Sequence, residues 1–241
     1  MTTLRISAKN LGQLSLFGFC PRCFWFQCKM GFRTPWSIFP GVFSSFDAFQ
    51  KRVVHGFFEK HGNLPPWLGA LANLGTPVPV PHHSKFRYHD KGMDILLTGM
   101  PDEMLRLPNG WLHILDYKTA RYTEGQDRLL PIYRTQLNGY ALIAERLGMG
   151  KVAGLALVYF EPQTDVENEN AGEAVKKKGF DLGFRATAVP IDLDLETIPP
   201  LLRKARELFD LPEAPGGKDG CKDCELLARL LQVAGRRTVT T

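Results

Sequence analysis

Residues 97–118 read LTGMPDEMLRLPNGWLHILDYK, and the layout of this stretch decides the fold. Two apolar segments flank Pro108-Asn109-Gly110. Read as a short hairpin loop with Gly110 at the left-handed bulge position, that turn sets Leu107 opposite Trp111. The same register carries Asp102 to a point directly across from Asp116. Side chains two apart on a strand share a face, so Asp116 and Lys118 point one way and Tyr117 the other. Two carboxylates and one ammonium then converge on one face of one hairpin. That donor set suits a divalent, oxygen-ligated cation with a lysine beside it. Such an ion activates water and neutralises charge developing on a phosphate, while the lysine orients the water or stabilises the pentavalent state. The plainer reading is a pair of exposed strand charges forming a minor ion pair. The apolar run Trp111-Leu112-His113-Ile114-Leu115 before Asp116 is a poor host for an exposed strand end.

Downstream, apolar spacing predicts a helix over about 130–147, which places Gln136 and Tyr140 on one face. Residues 151–160, KVAGLALVYF, are short, apolar and β-rich, and read as a buried strand. A strand is expected over 184–192 and a helix over 195–210, with Pro199 and Pro200 in its first turn. Upstream, residues 47–60 carry Phe49, Val53, Val54, Phe57 and Phe58 at helical spacing, with His55 and Glu59 sharing a face. Residues 7–19 read as a short helix with Ser7 as N-cap. Two or three strands are expected between 86 and 118, and the Pro- and Gly-rich residues 65–81 read as irregular. Residues 165–178 are acidic at Asp165, Glu167 and Glu169 and basic at Lys176-Lys177-Lys178, the pattern of a solvated loop. Residues 236–241 read as a frayed end. Helices, a strand meander, then helix, strands and helix define an α/β (mixed α+β) fold with a central mixed sheet flanked by helices. No clear linker divides the 241 residues, so one domain is expected.

The formal charge of +5 favours a polyanionic partner only mildly. No apolar span is long enough to cross a bilayer, and the first ten residues lack the apolar core of a signal peptide. A cytoplasmic protein without a membrane partner is the simplest expectation. Five cysteines are present, and four form two C-x-x-C pairs at opposite ends: Cys20 and Cys23, then Cys221 and Cys224. In a reducing compartment this pattern speaks for metal or cluster ligation. The two ends, about 18–30 and 215–230, are then expected to meet. The bland alternative is four buried cysteines acting as small apolar residues, and Cys28 is left unligated.

Taken together, Gly99-Met100-Pro101-Asp102, Asp116-Tyr117-Lys118 and Gln136-Leu137-Asn138-Gly139-Tyr140 resemble the PD-(D/E)XK nuclease superfamily. The Q-x-x-x-Y helix after the D-x-K strand is similar to its RecB-like branch, with the CRISPR-associated exonucleases and the RecB and AddB nuclease domains. The resemblance runs over most of the chain, from about Cys20 to Cys224. It implies a restriction-endonuclease-like core and a deoxyribonuclease that uses Mg2+ or Mn2+, acting on single-stranded DNA or duplex ends, in CRISPR adaptation, DNA repair or phage defence. It implies Asp102 and Asp116 as metal ligands, the Tyr117 carbonyl as another, and Lys118 as the catalytic lysine. His55 sits where an upstream histidine ligand is expected, with Asp47, Glu59 and Glu103 as carboxylates that could replace it. Gln136 and Tyr140 contact nucleic acid or support the site. The resemblance also implies a 4Fe–4S cluster, but that pattern has one N-terminal and three C-terminal cysteines. The two-plus-two set here serves structural Zn2+ equally well. Trp25, Trp36 and Trp67 could stack on bases, with core packing the better reading. An alternative on the same fold is a non-catalytic nucleic-acid-binding or assembly subunit, partnered with a helicase or another nucleic-acid-processing protein.

Overall fold

The computed structural model describes residues 2–33, 41–69, 71, 75–123, 128–164 and 172–235. Trp36, the acidic residues Asp165, Glu167 and Glu169, and the terminal 236–241 lie outside the described residues. In chain order the elements are β1 (Leu4–Ser7), α1 (Ala8–Leu11), α2 (Pro21–Lys29), α3 (Gly41–His61), β2 (Thr76–Val78), β3 (Arg87–Asp90), β4 (Ile95–Thr98), β5 (Glu103–Arg106) and β6 (Leu112–Lys118). They continue with α4 (Leu130–Arg146), β7 (Val152–Pro162), β8 (Val175–Lys176), β9 (Gly179–Phe180), β10 (Phe184–Ile191), α5 (Ile198–Asp210) and α6 (Lys222–Gly235).

The hairpin forms in the expected register. Glu103 pairs with Leu115 and Arg106 with Leu112, and the Leu107 N–H donates to the Trp111 carbonyl at 2.9 Å. Gly110 takes φ +83°, a conformation costly for any side chain with a Cβ. Around this hairpin a five-stranded sheet runs β10-β7-β6-β5-β2. Strands β6 and β7 are parallel, with α4 as the crossover between them, and the other pairs are antiparallel. A second sheet, β1-β4-β3, pairs β1 with β4 in parallel.

Strand alternation sorts the core into two layers. Leu112 and Ile114 of β6 join α4 residues Leu137, Tyr140 and Ala141 on one face. Leu115 and Tyr117 join Val54 of α3 on the other. The run KVAGLALVYF is apolar throughout because β7 is covered on both faces: Leu155, Leu157 and Tyr159 face one layer, Ala156, Val158 and Phe160 the other.

The link between the two sheets is Gly99-Met100-Pro101-Asp102. A Cβ on Gly99 would fall 2.6 Å from the Tyr140 ring, so glycine is what lets α4 close over this link. Several elements differ from the sequence pattern. Helix α3 begins at Gly41, six residues earlier than its apolar spacing starts. The helix after Ser7 is a single turn followed by 3-10 structure at Gly12–Ser15, although Ser7 does cap it, its Oγ accepting from the Asn10 N–H at 3.1 Å. Strand β1 gives no sequence signal because its four residues owe their conformation to β4. Four strands, not two or three, lie between 86 and 118. The Lys176 region is a small exposed hairpin, β8–β9. Helix α5 starts at Ile198 because Asp194 caps a 3-10 turn over Leu195–Thr197 first.

Candidate active site and thiol cluster

At the C-terminal end of β6, Asp116 is buried, 3% exposed, against α4. The Gln136 amide donates to Asp116 Oδ1 at 3.0 Å and to the Tyr140 hydroxyl at 2.6 Å, while its Oε1 accepts from Lys118 Nζ at 3.2 Å. The Lys118 ammonium contacts Asp116 and lies over the Tyr133 ring at 4.3 Å. Asp116 Oδ2 faces that ammonium but has no directed hydrogen bond. Burial pushes the Asp116 carboxyl up to about 6; Asp102 adds to the rise and Lys118 opposes it. Across the hairpin, Asp102 Oδ2 accepts from the Tyr117 N–H at 2.8 Å. Burial raises this carboxyl too, against the pull of Lys51.

Helix α3 closes the other side. Gln50 donates to Thr119 Oγ1 at 2.9 Å, just past Lys118. Lys51 bridges Asp102 at 2.8 Å and Asp47 at 3.0 Å. His55 Nε2 lies 2.6 Å from Glu103 Oε2, and Glu103 is fully buried. The Tyr117 hydroxyl is buried on the same face without a directed hydrogen bond. A cleft of about 480 Å3 opens at Asp102, and Lys51, Arg52, His55 and His82 stand along it.

The structure thus brings Asp102, Asp116, Lys118, Gln136 and Tyr140 together. Gln136 holds the carboxylate and lysine in place by hydrogen bonds, and the Tyr140 hydroxyl steadies Gln136 by accepting from its amide. His55 is brought to Glu103. Among the described residues, no three of His55, Asp102, Glu103 and Asp116 hold ligand atoms within 4.8 Å of one another. The sequence pattern gives Lys51 no role and Glu103 only that of a spare carboxylate. Lys51 lies one helical turn before His55 on the same face of α3, and Glu103 shares a sheet face with Leu115 and Tyr117. Trp25 donates to the Leu211 carbonyl at 3.1 Å, and Trp67 packs against the Val54 layer.

The two C-x-x-C pairs, at opposite ends of the sequence, meet in space. Cys20 Sγ is 3.5 Å from Cys224 Sγ, and Cys23 Sγ is 3.6 Å from Cys221 and 3.4 Å from Cys224. All four sulfurs lie within 4.8 Å of one another. Arg22 Nε donates to the Pro215 carbonyl at 2.9 Å, and the Lys218 N–H donates to Cys20 Sγ at 3.3 Å. Burial works against ionisation of Cys20, yet the N–H groups of Lys218 and Cys23 and the neighbouring thiols bring it down to about 6. Burial and the other thiols push Cys23 up, as expected when several thiols share one charge. Cys28 stands apart in the core, its thiol pushed up to about 12 by burial.

The superfamily model for PD-(D/E)XK nucleases matches residues 61–229. The chain belongs to the PD-(D/E)XK nuclease superfamily. The matched residues include Asp102, Asp116, Lys118, Gln136, Tyr140, Cys221 and Cys224; His55 and the first cysteine pair lie before them. No curated protein matches the chain. Among solved structures, the crystal structure of SSO0001 is similar at 18% identity and a TM-score of 0.39, over 88% of this chain and 78% of that one. No helix of the described residues is long and apolar enough to cross a membrane.

Proposed function

We propose that the chain is a metal-dependent deoxyribonuclease of the RecB-like exonuclease type, acting on DNA ends in the cytoplasm alongside a helicase or similar partner. The observation that carries this reading is the buried Asp102–Asp116 pair with Lys118 against it. Two desolvated carboxylates facing each other across one hairpin fit a Mg2+ or Mn2+ ion. Asp102, Asp116 and the Tyr117 carbonyl would hold it, with His55 joining from α3 by leaving Glu103. The bound ion supplies an activated water and a counter-charge for the phosphate. Lys118 orients the attacking water and stabilises the pentavalent phosphate, and Gln136 and Tyr140 fix the angle between Lys118 and Asp116. The cationic side chains along the cleft bind the backbone. The test is incubation with single-stranded and duplex DNA plus Mg2+ or Mn2+. Cleavage by the wild type that is absent in an Asp116→Asn, Lys118→Ala variant is the expected result. Equal trace activity in both proteins overturns it.

For the thiol cluster we propose one Zn2+ in place of a 4Fe–4S cluster. Zinc–sulfur bonds of about 2.3 Å in a tetrahedron set the sulfurs about 3.8 Å apart. Three of the six separations are 3.4–3.6 Å and all lie within 4.8 Å, close to that. A four-iron cubane spreads its thiolates over four metal corners and needs wider spacing. The ion would join the two ends of a single domain. A colourless protein with one zinc per chain supports this, and a brown one with stoichiometric iron refutes it.

A further inference from the structure

Lys51 is the residue whose placement asks most of the chemistry. Its ammonium lies 2.8 Å from Asp102 and 3.0 Å from Asp47, one turn earlier on α3. Asp102 is therefore already neutralised by a side chain of the protein. A divalent ion on that carboxylate would stand a few ångströms from the ammonium, and the two like charges repel strongly in a partly desolvated site. Lys51 has somewhere to go. Asp47 stays bound to it through the helix, and its own carboxylate is half exposed. The cleft into which Lys51 projects is also lined by Arg52, His55 and His82, and Asp102 is its sole lining carboxylate among the described residues. The Arg52 guanidinium lies against the Phe49 ring at 5.9 Å. Once Asp102 is taken, the fixed charges left on this wall are the cations of Lys51 and Arg52, and the anion that fits them is a phosphate.

We propose that Lys51 is a place-holder cation: it neutralises Asp102 until a divalent ion takes that carboxylate, then turns into the cleft and holds a backbone phosphate of the DNA. This rests on the nuclease reading of the hairpin. It assigns α3 a part in the reaction that depends on Lys51 and not on His55. It also makes metal loading and substrate binding successive uses of one ammonium. The protein binds phosphate weakly before the ion arrives and strongly after.

The experiment uses the full chain with its thiol cluster intact and Mn2+ as the probe. Calorimetric titration compares the wild type with Lys51→Met, which keeps the length and removes the charge. Lys51→Met is expected to bind Mn2+ about ten-fold tighter, the scale of one lost charge-assisted hydrogen bond to the competing carboxylate. In the wild type, acylation of Lys51 by an amine reagent, read by mass spectrometry, should speed up when Mn2+ is added. The exposed Lys85 serves as reference and should not change. A phosphorothioate oligonucleotide should then protect Lys51 in Mn2+ but not without it. Equal Mn2+ affinity in both proteins, or Lys51 labelling indifferent to Mn2+, overturns the place-holder role while leaving the metal site standing. Faster labelling without oligonucleotide protection overturns the phosphate role. No Mn2+ binding to either protein overturns both this inference and the nuclease reading beneath it.

Discussion

Removing the charge at Asp116 should make the metal-free protein more stable, not less. The Asp116 carboxyl is 3% exposed, and its folded-state value of about 6 lies above its ordinary 3.8. A group raised in this way favours folding when protonated. Its contribution is whole below about pH 3.8 and is lost as pH rises through about 6. By neutral pH the ionised carboxylate costs the fold about 3 kcal/mol. Asn keeps the shape and the contact with the Gln136 amide but leaves the Lys118 ammonium without its anion. About 2 kcal/mol of net gain is therefore expected for Asp116→Asn at pH 7.5, or about 4–8 °C in Tm for a chain of this size. The assay is thermal denaturation of both proteins in buffer free of added Mg2+ and Mn2+, from pH 5 to 8. The gap should narrow to about a third by pH 5, because most of the wild-type carboxyl is then protonated in the folded state. Added Mn2+ should raise the wild-type Tm and leave the variant where it was. An Asp116→Asn protein no more stable than wild type at pH 7.5, or a gap that ignores pH, refutes the claim that this carboxylate is held at a cost.

Gly99→Ala should lower stability by about 1–3 kcal/mol, since its Cβ would meet the buried Tyr140 ring at 2.6 Å; thermal denaturation reads it. His55→Ala removes the partner of Glu103 Oε2, leaving that fully buried carboxylate with the Met104 N–H on its other oxygen, and should cost about 1–3 kcal/mol, most of it recovered by adding Glu103→Gln; a double-mutant cycle by denaturant unfolding checks this. Cys23→Ser should release the bound ion, measured by elemental analysis, while Cys28→Ala should not, because Cys28 lies in the core away from the other four.

The hairpin was legible because every device that sets it is local. Pro108-Asn109-Gly110 names the turn, the turn sets the register, and the register puts Asp102 across from Asp116. Helix α4 and strand β7 were legible for a similar reason, since apolar period and length distinguish a crossover helix from a strand buried on both faces. What stayed hidden was set by tertiary contact. Strand β1 is four residues that become a strand only beside β4. The start of α3 carries few buried residues, so its apolar spacing under-reports its length; only Gln50 and Val54 are buried along 21 residues. The pairing of His55 with Glu103 could not be read from either residue. It depends on how a helix lies across a sheet. The same holds for Lys51, whose partner Asp102 is 51 residues away.

The meeting of Cys20 with Cys224 has a consequence for the chain as an object. These residues are 204 positions apart, so the ion that would bind them closes nearly the whole polypeptide into a ring. By chain-entropy reckoning a cross-link over such a span removes about 5 kcal/mol of freedom from the unfolded state. Most of a small protein's stability margin is of that order. On the proposed reading the chain would hold two metals with separate duties, one serving the reaction at Asp102 and Asp116 and one holding the two ends of the folded chain together.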